Sequence, residues 1–460
     1  MNDACLKGKR VAVVGMGKSG LAAAQFLLNR GAQVRITDSL SNSDTISRAQ
    51  ELKAMGARVE LGRHTERFLI GTDLLVTSPG VANDSLPLLF AHNKRILIYS
   101  EIKLASLFCK GLVIGVTGSN GKTTTCHLIH EMLKGAGKKS VLCGNVGFPF
   151  LTALKTVTKQ TFVVLELSSF QLEYCRQFSP QIAVILNISP NHLNRHKSMR
   201  DYIKAKALLL KYQSKEDHAV LNYDDIHVRN MARKAKSKVL FFSKKPLREG
   251  IFVKNGNVIL KDGRKERVLA DLKHVRLKGD HNIENMLAGM AVMQILKIPS
   301  GFTRKAFESF ETLEHRIESL GQARGVEFIN DSKSTTVDST RAAILACSKP
   351  LVLIAGGLDK GTPFTAIEPL LREKVKAAVL YGEARNKMAG AWKSFKPVHL
   401  VKDFTRAVKT GFSLAGSGES LLLSPMAASF DQFSGFEERG RAFKTIFRQL
   451  KAKYGNIKKS

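Results

Sequence analysis

Short aliphatic runs recur along the chain, each followed by a glycine-rich or polar turn and then by a helix-like stretch. Arg10-Val-Ala-Val-Val14 enters Gly15-Met-Gly-Lys-Ser-Gly20 and an Ala/Leu helix to Arg30; Gly31 ends it, and Val34-Arg-Ile-Thr37 forms the next strand. Leu74-Leu-Val-Thr77 ends in Ser78-Pro-Gly80. A second start, Leu112-Val-Ile-Gly-Val116, precedes a helix from about Lys122, with later strands at Phe162–Leu165 and Ile182–Leu186. Residues 240–277 read as short β segments around Lys254-Asn-Gly256 and Lys261-Asp-Gly263, and a helix follows from Asn282 to Leu296. A third start brings strands at Val326–Ile329, Leu351–Ile354 and Leu421–Leu423. This alternation predicts an α/β chain with largely parallel sheets. Every polar cluster follows a strand directly, where open α/β sheets hold their ligands.

Length fits this picture of several domains, because 460 residues exceed one ordinary core. No apolar run reaches the length of a membrane span and the N-terminus lacks a signal-peptide core, so the expected compartment is the cytoplasm. The six cysteines are scattered without metal-binding spacing and read as reduced, structural thiols. A formal charge of +33 would admit a nucleic-acid partner. Basic residues are spread along the whole length, however, and no base-reading motif is present. Anionic small substrates are the expected partners, and nucleic acid is not.

Two loops carry phosphate chemistry. Gly115-Val-Thr-Gly-Ser-Asn-Gly-Lys-Thr-Thr124 lies between a strand and a helix. Gly118 and Gly121 let backbone approach phosphate oxygens, Lys122 meets their charge, and the Thr123 hydroxyl suits magnesium. The loop is a variant of the Walker pattern, with Val116 where glycine is usual. The other loop, Gly15-x-Gly17-x-x-Gly20 with Asp38 ending the next strand, has dinucleotide spacing. Alone it would say NAD, but the same geometry holds any pyrophosphate-bearing nucleotide. An NAD-dependent oxidoreductase with an accessory ATPase domain and a nucleic-acid-binding ATPase therefore stand as alternatives to an ATP-driven ligase.

Further segments decide among them. Leu165-Glu-Leu-Ser-Ser-Phe-Gln-Leu-Glu173, Asn191-His192, Tyr202-x-x-x-Lys206, Leu277-Lys-Gly-Asp-His-Asn-Ile-Glu-Asn285 and His315-Arg316 occur in this order. Asn330-Asp-Ser-Lys-Ser-Thr335, Gly356-Gly-Leu-Asp-Lys360 and Leu423-Ser-Pro-Met-Ala-Ala-Ser-Phe-Asp-Gln-Phe433 follow. Together with the phosphate loop, this set resembles the Mur ligases over roughly residues 8–450, and within them the branch that adds D-glutamate. The resemblance implies three domains: a Rossmann-like UDP-sugar domain (1–100), a phosphate-loop ATPase-like ligase domain (101–312) and a Rossmann-like amino-acid domain (313–460). It implies ATP-dependent addition of D-glutamate to UDP-N-acetylmuramoyl-L-alanine (UDP-MurNAc-L-Ala) through an acyl phosphate, by a monomer.

The resemblance also implies the roles of individual residues. Gly115, Thr117, Gly118, Ser119, Asn120, Gly121, Lys122, Thr123 and Thr124 would hold ATP, with His281, Asn282, Asn285, Arg316 and Asp331. Thr123, Glu166, His192 and Lys206 would hold magnesium, in two ions, with Lys206 carried as a carbamate. Gly17, Lys18, Ser19, Asp38, Ser39, Ser78, Gly80, Asn145, Ser168 and Gln171 would contact the UDP-sugar. Lys333 would bind phosphate and substrate. Thr335, Lys360, Ser429, Phe430 and Phe436 would hold D-glutamate, whose two carboxylates call for cations and hydroxyls. There are two departures. Where relatives carry Asp-His-x-Asp-x-His, this chain has Asn191-His-Leu-Asn194-Arg-His196, which removes two carboxylates near the second metal. Leu40 stands where some relatives place an arginine near uracil.

Overall fold

A computed structural model describes residues 6–191, 193–274, 280–309, 314–359 and 361–455. It contains three sheets in two compact units, one carrying the first two sheets and the other the third. His192 and Lys360 lie outside the described residues, as does the side chain of His281.

The first sheet is parallel throughout, in the order Arg58–Leu61, Gln33–Asp38, Arg10–Val14, Leu74–Thr77, Leu97–Ser100. Arg10–Val14 is central, and its side chains alternate between two cores. Val11 and Val13 pack with the cluster that includes Ile36 and Val76, while Ala12 and Val14 pack with Leu75 and Leu88. Burial on both faces explains why this strand is an unbroken apolar run.

The second sheet has nine strands. From Gly250–Lys254 through Lys238–Ser243, His218–Asn222, Ile182–Ile185, Leu112–Thr117 and Phe162–Glu166 to Ser140–Gly144 it is parallel. Asn257–Asp262 and Lys265–Asp271 extend it as an antiparallel meander. Asn255 (φ 51°) and Gly256 (φ 74°) make the tight turn expected from the sequence. The expected helix runs over Asp280–Ile295.

In the third sheet Val326–Asn330, Ser420–Met426, Leu351–Gly356, Val375–Tyr381 and Val398–Leu400 are parallel, and Glu318–Ala323 pairs antiparallel on the edge. Leu351 and Leu353 face one core, Val352 and Ile354 the other. Among the described residues no helix is long and apolar enough to cross a membrane.

Candidate active site

The strand Leu112–Thr117 delivers the phosphate loop to the start of the helix Lys122–Gly135. Gly121 caps that helix with φ 81°, and a Cβ there would strike Asn285 Oδ1. Both conditions demand glycine. Asn285 is buried and also accepts from Thr125 Oγ1 at 3.2 Å, so the helix carrying it packs directly behind the loop. Asn187 braces the other side. Its Oδ1 accepts from Asn120 N at 2.8 Å, and its carbonyl accepts from Ser119 N at 2.9 Å.

Two lysines converge on this loop. Lys122 Nζ donates to the carbonyls of Gly118 (2.7 Å) and Ser119 (2.9 Å). Lys206, on the helix Met199–Lys211, is fully buried and donates to the same Gly118 carbonyl at 2.8 Å. Burial, with Lys122 beside it, pushes the Lys206 amine well below the usual lysine range, and Glu166 opposes that shift. Tyr202, one turn earlier, places its ring 4.7 Å from Lys206 Nζ and its hydroxyl 3.0 Å from Ser119 Oγ.

Glu166 ends the neighbouring strand and is 1% exposed. Its Oε1 accepts from Asn145 Nδ2 at 2.8 Å, whereas Oε2 is buried without a hydrogen-bond partner among the described residues. A buried carboxylate oxygen with no donor costs on the order of 1–3 kcal/mol or more, and a cation removes that cost. The donor set fits magnesium, which binds through one or two carboxylates, a hydroxyl such as Thr123 and the phosphates of its substrate. Among the described residues no three His, Cys, Asp or Glu side chains form a cage that could hold a metal by themselves.

Ser168 and Gln171 form a reciprocal capping box. Gln171 Oε1 accepts from Ser168 N (2.9 Å) and Oγ (3.0 Å), so these two residues orient the short helix Ser169–Glu173 after Glu166.

In the first sheet Gly17 caps the helix Lys18–Leu28, whose N-terminus suits a diphosphate. Gly15 has φ 89° and lies against Ser78, whose hydroxyl donates to the Gly15 carbonyl at 3.1 Å. Asp38 accepts from Met16 N at 2.5 Å and from Leu40 N at 2.8 Å, closing the loop onto the tip of the second strand. Ser39 and Leu40 are exposed beside it.

The second unit gathers its candidates at the strand ends of the third sheet. Asp331 is 2% exposed and accepts from Ser424 Oγ (2.8 Å) and Ile317 N (3.2 Å); burial raises its carboxyl to about 6. Lys333 Nζ lies 4.8 Å from the centre of the Phe436 ring. The Met426 amide donates to the Ser334 carbonyl at 3.0 Å, and Leu358 and Ala428 exchange backbone bonds at 2.8 and 3.1 Å. The half-buried Thr335, the buried Ser429 and the loop leading to residue 360 are thereby drawn together, with Phe430 exposed to solvent. Arg439 is wholly buried and donates to Ser332 Oγ (3.0 Å), Ser332 O (2.7 Å), Ala427 O (3.2 Å) and Tyr381 Oη (3.4 Å). Sequence reasoning passed over Asn187 and Arg439, since neither belongs to a motif that states its partner.

The chain matches known families over most of its length. Residues 9–100 match the Mur ligase MurD-like N-terminal domain, 116–293 the Mur ligase middle domain and 315–426 the Mur ligase glutamate ligase domain. The UDP-N-acetylmuramoylalanine--D-glutamate ligase of Koribacter versatilis is 41% identical, over 97% of this chain and 98% of that one. Its namesake from Geotalea daltonii is 39% identical over the same shares. Among solved structures, UDP-N-acetylmuramate-alanine ligase MurC from Thermotoga maritima superposes with a TM-score of 0.62 at 18% identity, covering 96% of this chain and 99% of that one. MurF from Acinetobacter baumannii gives 0.60 at 15% identity, over 98% and 92%. With its fold, its phosphate loop and its full-length relatives in agreement, the chain belongs to the Mur ligase family.

Proposed function

We propose that this protein is a cytoplasmic, monomeric ligase that joins D-glutamate to UDP-MurNAc-L-Ala at the expense of ATP. The observation that carries the reading is the convergence of Lys122, Lys206 and Glu166 on one phosphate loop. The names of the full-length relatives supply the substrates.

A carboxylate is a poor acyl donor, so the chemistry needs a better leaving group. The terminal phosphoryl group of ATP passes to the alanyl carboxylate, giving ADP and an acyl phosphate. The D-glutamate amine then attacks the acyl carbon, the tetrahedral species expels phosphate, and an amide remains. The protein's part is to position anions and neutralise their charge. Lys122 and the backbone amides of the loop bind the β- and γ-phosphates. Glu166, Thr123, Lys206 and His192 would hold magnesium, which when bound shields the phosphate charge. Lys206, whose amine is held below the usual lysine range by burial, would add carbon dioxide and release a proton, becoming a carbamate anion able to ligate a hard cation. The UDP-sugar rests on Gly17, Lys18, Ser19, Asp38, Ser39, Ser78, Gly80 and Asn145, while Lys333, Thr335, Lys360, Ser429, Phe430 and Phe436 receive phosphate and D-glutamate.

Phosphate release is the test, measured with ATP and UDP-MurNAc-L-Ala, with and without D-glutamate. L-Glutamate, lysine and diaminopimelate serve as controls. Release that depends on D-glutamate is expected; release that depends on lysine or diaminopimelate would assign the chain to a sister activity.

A further inference from the structure

Arg195, in the short helix Leu193–His196, reaches across from the second sheet's domain to the loop that follows Leu74–Thr77 in the first. Its Nη1 donates to the Val81 carbonyl at 2.7 Å, and its Nη2 donates to Asn83 Oδ1 at 3.1 Å. On its own side Nη2 and Nε grip Glu173 Oε2 at 2.8 and 3.3 Å, and the guanidinium sits 4.8 Å from the centre of the Phe170 ring. Arg195 and Glu173 are only 13% and 14% exposed, unlike the surface ion pairs whose contribution is close to nil. Both ends of this bridge lead toward a phosphate site. The Val81 amide donates to the Ser78 carbonyl, and the Ser78 hydroxyl holds Gly15. Glu173 Oε1 lies 3.3 Å from His196 Nδ1, and the His196 ring packs on Tyr202, which touches Ser119 of the phosphate loop.

We infer that Arg195 is a positioning residue that clamps the 78–83 loop to the helix beside Glu166, fixing where the nucleotide-sugar's carboxylate meets the phosphate loop. The inference rests on the functional reading above for the identity of that substrate. The site requires arginine's planar fork. A lysine keeps one charge contact with Glu173 but cannot at the same time reach Val81 and Asn83. Tyr174 Oη also donates to Asn83 Oδ1 at 3.1 Å, so loss of Arg195 leaves one bond across the gap and loosens the approach rather than freeing it. Misplacement of that kind lowers turnover as well as affinity.

The experiment is steady-state kinetics on Arg195→Ala, Arg195→Lys and Asn83→Ala, with calorimetric titration of UDP, of UDP-MurNAc-L-Ala and of ATP. Arg195→Ala should raise KM for UDP-MurNAc-L-Ala at least tenfold and lower kcat, with KM for ATP within twofold of wild type. Arg195→Lys should fall between, and Asn83→Ala should shift the same KM less. A role in folding alone would lower the melting temperature and leave the ratio of the two KM values unchanged, which would overturn the inference. The titrations separate this result from failure of the functional reading. A wild type that binds UDP without D-glutamate-dependent turnover sinks that reading. The clamp is then judged by calorimetric affinity for UDP-MurNAc-L-Ala against that for UDP, where a tenfold loss for the former alone in Arg195→Ala sustains it and an unchanged ratio of the two affinities overturns it.

Discussion

Lys206 Nζ and the carbonyl oxygen of Gly118 lie 2.8 Å apart in the interior, and Lys122 Nζ shares the same acceptor at 2.7 Å. Burial first, and then the neighbouring charge of Lys122, hold the Lys206 amine below the usual lysine range. If the carbamate of Lys206 is the working form, Lys206→Ala should lose about 100-fold or more in phosphate release, as removal of a preorganised charge does. Acetate diffusing into the space should restore part of that activity, while wild type should not respond. No restoration at any acetate concentration would sink the carbamate.

Gly121→Ala tests the loop itself. The new methyl would meet Asn285 Oδ1 and hold an L-residue at φ 81°, a conformation that costs about 1–2 kcal/mol. We expect a KM for ATP raised about tenfold, with UDP affinity by calorimetry unchanged. An unaltered ATP KM would mean that the loop shifts at no cost.

Asp331 gives the second unit a dependence on pH. Burial raises its carboxyl from 3.8 to about 6, so the folded unit holds this proton more tightly than the unfolded chain does. The group's contribution favours folding below about pH 4 and is lost as pH rises through about 6, a change of about 3 kcal/mol. Asp331→Asn should therefore flatten the urea-unfolding stability of this unit between those pH values. Parallel profiles for the two proteins would refute this assignment.

The replacement of two family carboxylates by Asn191 and Asn194 predicts weak metal binding. Asn191→Asp combined with Asn194→Asp should lower the magnesium concentration needed for half-maximal phosphate release severalfold. Superimposable titration curves would show that the amides do not set the requirement.

Strands such as Arg10–Val14, whose buried positions form an unbroken aliphatic run, were legible in the sequence. Arg10–Val14 and Leu74–Thr77 have the expected bounds. Val375-Lys-Ala-Ala-Val-Leu-Tyr381 was not legible. Two alanines and a lysine favour a helix, and only packing between two neighbouring strands makes this segment a strand. The phosphate loop and Glu166 announced themselves by motif and by position at strand ends. Lys206 stood out only through the resemblance at Tyr202-x-x-x-Lys206; taken alone, a lysine on a helix is ordinary until burial is known. Asn187 and Arg195 act through partners 67 and 114 residues away in sequence, a relation no local pattern encodes.

Arg439 stands near the start of the terminal helix and bonds to Ser332 after one strand, Ala427 after another and Tyr381 at the end of a third. One side chain thus fastens three strand ends that the sheet alone would let fray separately. In amide hydrogen exchange these segments should open as a single cooperative unit. Slow opening of the terminal helix, which begins at Phe436 beside Lys333, would then set how often the amino-acid pocket loses its shape.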